Sequence, residues 1–272
     1  MSLEGRRSCP RKMSGMWKRV IVATAFNLLF EYSMRGINNL PSQPVLPLIL
    51  FTTYFTLFGM IEDIIARYRL RDHHLIVMAF SFGIIYQCFV SGAAFSPPLF
   101  LGISWRSVFF VILVWWGGIQ TVMTFYLANR IVPRDWFRQR LPKMTWVTLL
   151  SINISMILLF QLSGRIPRGT VIGVTMMLLV LLVSVALLLK MLPRVQERQT
   201  APEFKRTQVM DLLAGLSIII FIICAVFLTF DPTQYVASNI NRTATRIVVN
   251  WSILSALIML GYRLHSKVPI SV

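Results

Sequence analysis

Stretches of roughly 20 predominantly apolar residues recur along this chain, and each matches the hydrocarbon thickness of a bilayer. They fall at about 17–35, 44–66, 75–95, 106–127, 145–163, 170–190, 208–230 and 244–262. Prolines punctuate the breaks, among them Pro41, Pro44, Pro97, Pro98, Pro133, Pro142, Pro167, Pro202 and Pro232. In hydrocarbon every backbone polar group must be paired internally, so such runs are read as helices. The expected fold is all-α, a polytopic membrane helix bundle of about eight transmembrane helices. Composition agrees: 56% of residues are hydrophobic and 14% charged, against about 45–50% and 25% in soluble domains.

The chain carries 27 Lys and Arg against 10 Asp and Glu, a net charge of +17. On a soluble protein this would suggest nucleic acid. Here the cations lie between apolar runs, so the expected partner is the lipid bilayer and not nucleic acid. Of the 27, 21 fall on one side of the map; Arg35, Arg106, Arg165, Arg168, Arg242 and Arg246 fall on the other. The positive-inside rule then places both ends in the cytoplasm. Residues 1–16 form a basic cytoplasmic tail, 17–262 the transmembrane bundle and 263–272 a short cytoplasmic tail. The run Val20–Phe30 is followed by Glu31, Tyr32 and Arg35 rather than by a small-residue cleavage site, so it reads as a retained first helix.

The longest cytoplasmic loops, about 128–144 and 191–207, are basic. The first carries Trp136, Phe137 and Leu141 among arginines, a pattern suited to a short interfacial helix. Anionic lipid headgroups or other membrane subunits are the expected partners of these loops. Asn241-Arg242-Thr243 forms an N-x-T sequon on the outer side. The compact loops point to an integral protein of a prokaryotic plasma (inner) membrane.

Charges inside a membrane are costly and mark candidate sites. A cytoplasmic-side polar cluster is expected from Glu62, Asp63, Arg67 and Asp211. Asp63 and Arg67 are spaced i, i+4 and can pair. Glu62 points about 100° away from Asp63, and Asp211 opens a helix whose macrodipole favours an acid there. An outer-side cluster is expected from Asn27, Glu31, Arg35, Arg246 and Asn250. Arg35 lies one turn beyond Glu31, and Arg246 and Asn250 form a stripe that is expected to face it. At about 1.5 Å per residue, Glu31 and Glu62 lie some 20 Å apart along the membrane normal, too far to share a proton. Tyr86, Gln87, Gln120 and Asn153 are expected to hydrogen-bond between helices. Trp115, Trp116, Gly117 and Gly118, at mid-helix, suit close packing.

Catalytic and phosphate-binding motifs such as HExxH, GxSxG, GxxxxGK[ST] and CxxC are absent from the sequence. Cys88 and Cys224 lie in apolar runs, and Cys9 in the basic tail; His73 and His74 are adjacent, a poor spacing for one metal. No metal or cofactor is expected. Glu62, Asp63 and Arg67 read E-D-x-x-x-R, which is similar to the E-E-x-x-x-R motif of the CAAX-protease and bacteriocin-processing membrane family. That resemblance covers six residues and implies Glu62 as a base activating water beside histidines. The family's F-x-x-x-H and H-x-x-x-[ND] motifs are missing, since His265 is followed four residues on by Pro269. The first four helices do not repeat in the last four, which a transporter built of repeats would show. The reading favoured is a transporter or permease-like protein for a small solute or lipid. Its alternatives are a non-catalytic structural or assembly subunit of a membrane complex, and a membrane-embedded enzyme acting on a lipid-linked substrate at the cytoplasmic face.

Overall fold

A computed structural model describes residues 15–134, 141–162, 167–196, 208–228 and 241–266. The basic amino-terminal tail and the segment around Trp136 and Phe137 lie outside the described residues. The long helices are α1 (Gly15–Arg35), α3 (Val45–Tyr68), α4 (Asp72–Phe89), a π-helix (Ser107–Met123) continuous with α5 (Thr124–Ile131), α6 (Lys143–Leu162), α7 (Val171–Gln196), α8 (Gln208–Phe227) and α9 (Arg242–Ser266). A single turn, α2 (Asn39–Ser42), bridges α1 and α3. Every apolar run of the sequence thus becomes one helix.

Six of these are long and apolar enough to cross a bilayer: Val45–Tyr68, Ser107–Ile131, Lys143–Leu162, Val171–Leu192, Gln208–Phe227 and Arg242–His265. The chain is therefore a multi-pass integral membrane protein. α1 and α4 are the two exceptions to the eightfold expectation, because both carry charge and amides. Those groups point inward: Arg19 and Asn27 on α1, and Asp72, His74 and Gln87 on α4, are all buried. α1 packs against α3, α5, α8 and α9, while α4 packs against the π-helix, α7 and α6. Among the candidate spans, the π-helix with α5 and α3 are the most buried, and α7 and α6 the least. On α6, Leu149 alone among the described side chains is buried.

Several ends fall elsewhere than the apolar runs suggest. α4 stops at Phe89 instead of continuing to 95. Gly92 turns left-handed at φ 65°, and a 3₁₀ turn, Ala93–Phe95, follows. Gln161 Nε2 donates to the Phe89 carbonyl at 2.6 Å, satisfying one of the last α4 acceptors from α6. α3 ends at Arg69, also left-handed at φ 50°. The fourth helix runs four residues past 127, to Ile131, and its first 17 residues are π-helical. That is long for a conformation usually confined to one turn. Thr121 and Thr124 donate their hydroxyls five residues back, to Trp116 O at 2.6 Å and Ile119 O at 3.1 Å. Trp115 and Trp116 are core residues. Trp116 lies 4.8 Å from Tyr86 and 6.1 Å from Tyr54 between ring centroids.

At the sequon, Asn241 Oδ1 accepts the Ala244 N–H at 2.9 Å, and its own N–H bonds Met34 O at 2.8 Å. Asn241 is thus the N-cap of α9, which explains this amide without a glycan. On the same end of the bundle, α7 begins against the 100–103 turn, backbone to backbone. A Cβ at Gly173 would collide with the Gly102 carbonyl, whose own residue needs φ +74°. Gly173→Ala is expected to force that turn away and cost about 1–3 kcal/mol. A thermal midpoint in detergent equal to the parent's would refute this.

Candidate functional site

Glu62 is wholly buried near the Arg-rich end of α3. Arg19 of α1 donates Nε to Oε1 at 2.7 Å. Arg134, just after α5, is bidentate, with Nε to Oε1 at 2.8 Å and a terminal nitrogen to Oε2 at 2.7 Å. Arg19 also reaches Pro133 O at 2.8 Å. Burying a carboxylate demands charge and hydrogen bonds together, and two guanidinium groups supply both. Its two oxygens carry three charged donors, so Glu62 joins α1, α3 and the end of α5.

Asp63 faces the other way and is also wholly buried. It accepts Leu141 N at 2.7 Å and Trp146 Nε1 at 2.7 Å, and pairs with Arg67 at 2.8 Å. This carboxylate pins the start of α6 to α3. Asp211 takes a different place. Tyr126 OH donates to it at 2.6 Å, and Arg130 is bidentate at 2.8 and 2.7 Å. The four residues grouped in the sequence therefore belong to three separate clamps, centred on Glu62, Asp63 and Asp211. A further clamp, Asp72 with Arg263, ties α4 to α9, and His73 also contacts Arg263.

At the opposite end, Glu31 accepts Tyr54 OH at 2.6 Å and Gln120 Nε2 at 2.9 Å, with Arg35 Nε at 3.5 Å. Asn27, one turn away on α1, is wholly buried. Arg246 and Asn250 are exposed on α9, so the stripe expected to face Glu31 points outward. Phase decides this: α9 turns Ala244 and Val248 inward. Tyr54 and Gln120 complete the network in their place. Asn153 bonds Thr56 at 2.9 Å, the interhelical role expected of it.

Beside the Asp63 clamp a cleft of about 860 Å³ opens between α3, α4, α6 and α7. Its walls include Ile64, Met78, Phe82, Leu181, Val185 and Leu188; Arg67, Tyr68, Lys143 and Trp146 lie at its Arg-rich end. Ser81, which lines it, is satisfied by Ser184 behind the wall, the two hydroxyls lying 2.7 Å apart. From Leu192 to Leu181 it follows α7 for about 16 Å at 1.5 Å per residue, roughly one leaflet of a ~30 Å core.

Arg19, Arg134, Tyr54, Trp146 and Lys143 were not singled out by sequence reasoning. One signal was present: an acid as deep as Glu62 requires cations, and Arg19 lies inside the first apolar run.

No family model, curated protein or solved structure matches this chain. The fold and its clamps define a class, a multi-pass membrane helix bundle whose buried charges join helices. Within that class, its particular feature is the one-leaflet cleft beside α6.

Proposed function

We propose that the chain is a permease-like membrane protein that takes an amphiphile from the bilayer into the α3/α4/α6/α7 cleft. In this reading all eight long helices span the membrane, with the Arg-rich end in the cytoplasm. The observation that carries it is the cleft itself: apolar along one leaflet's depth, polar at one end, and bounded by α6, the least buried helix. Its volume lies within the ~300–1,000 Å³ of ordinary ligand sites. Glu62 and Asp63 are each held by donors from neighbouring helices, an arrangement that favours an anchoring role over hydrolysis.

The test is lipid retention and movement. Protein purified in mild detergent is expected to carry lipid detectable by native mass spectrometry. Reconstituted protein is expected to accelerate transbilayer movement of a fluorescent-tailed lipid. Val185→Trp, which fills the cleft from α7, is expected to lower both about tenfold with an unchanged thermal midpoint. Equal retention and movement in wild type and Val185→Trp would overturn the reading.

A further inference from the structure

The cleft's polar end is not neutral. Arg67 uses Nε and one terminal nitrogen on Asp63, at 3.3 and 2.8 Å. Its other terminal nitrogen has no partner among the described residues, on a side chain 36% exposed. Lys143, at the first turn of α6, is exposed and likewise has no partner among the described residues. Asp63 offsets one of the two charges, yet it is wholly buried and also bound by the Leu141 and Trp146 N–H groups. Its charge is therefore directed inward, and the cations line the mouth. Trp146 and Tyr68 flank them with amphipathic rings of the kind that sit at headgroup depth.

We infer that the cleft binds a lipid with an anionic, phosphate-bearing headgroup, seated between Arg67 and Lys143 with one acyl chain along α7. This rests on the proposed function and names its ligand class. Two observations point the same way. The one terminal nitrogen that Arg67 does not spend on Asp63, and the Lys143 ammonium, lie at one mouth and match phosphate oxygens in charge and hydrogen-bonding sense. Beyond the mouth, where Tyr68 and Trp146 sit, the lining is apolar except for Ser81, whose hydroxyl is paired with that of Ser184, so it suits a hydrocarbon tail. A zwitterionic headgroup would add an ammonium beside two cations and be disfavoured by like charge.

The experiment compares two photo-crosslinkable lipids with identical tails, one phosphatidic acid and one phosphatidylcholine, on the full chain in nanodiscs of neutral lipid. Phosphatidic acid is expected to label at least tenfold more, with weaker labelling at high salt. Lys143→Gln is expected to lower its labelling about fivefold, the effect of one surface cation, and Lys143→Arg to restore it. Arg67→Gln is expected to act in the same direction, and Asp63 keeps its other two donors. Val185→Trp is expected to abolish labelling by both lipids. Equal labelling by the two, lost in Val185→Trp and unmoved by Lys143→Gln, would overturn the headgroup inference and leave the cleft's role standing. Labelling by neither would overturn both.

Discussion

Glu62→Ala is expected to unfold the Arg-rich end of the bundle. The substitution leaves Arg19, 2% exposed, and Arg134, whose side chain is fully buried, facing each other with no carboxylate between them. Removing one partner of a buried ion pair costs about 3–5 kcal/mol, because the charge left behind is uncompensated. Here two cations lose that carboxylate at once, and Arg19 keeps its bond to the Pro133 carbonyl. Glu62→Gln keeps an acceptor but loses the charge, so its loss should be intermediate. Arg19→Met should be milder than either, since the bidentate Glu62–Arg134 pair survives as a neutral unit. The measurement is the thermal midpoint in detergent, followed by size-exclusion chromatography of the heated protein. A folded Glu62→Ala protein with an unchanged midpoint and no lipid movement would make Glu62 a functional acid instead of an anchor.

The second large effect is expected from Asp63→Ala. The Leu141 N–H and the Trp146 indole N–H each lose their acceptor. An orphaned buried donor costs about 1–3 kcal/mol, which the Leu141 N–H would incur in full; the Trp146 indole, part-buried at the cleft mouth, adds less. The released Arg67 adds little, because its side chain is more than a third exposed and water can take over. Arg67→Gln should therefore shift the midpoint by a small fraction of the Asp63→Ala shift. α6 forms one wall of the cleft, so Asp63→Ala should also reduce lipid retention, even at temperatures where the bundle stays folded. If the midpoint fell equally in Asp63→Ala and Arg67→Gln, the ion pair would be the holding element and the two N–H bonds would not.

The Asp63–Arg67 pair was legible in the sequence because helix pitch alone puts i and i+4 on one face. The same is true of Glu31 and Arg35. The partners on other helices were not legible. Arg134 lies 72 residues from Glu62, and Gln120 lies 89 from Glu31. No local rule selects one polar residue over another at such separations. The stripe Arg246 and Asn250 shows the failure plainly: the spacing was right, but the rotation of α9 about its axis was set by packing of Ala244 and Val248.

The positions of the helices followed from the sequence unaided, because hydrocarbon leaves backbone amides no partner but the helix itself. Their ends followed less directly: left-handed Arg69 and Gly92 stop the chain locally, elsewhere than the apolar runs end. Which helices lie at the centre was a tertiary decision. Burying a charge is tolerable only where other helices bring opposite charge and donors to it, so α1, α3 and α4 moved inward while α6 and α7 stayed outside. The cleft, with Arg67 and Lys143 at its mouth, exists because Asp63 holds α6 at its start, and that distance between helices was written in no single one of them.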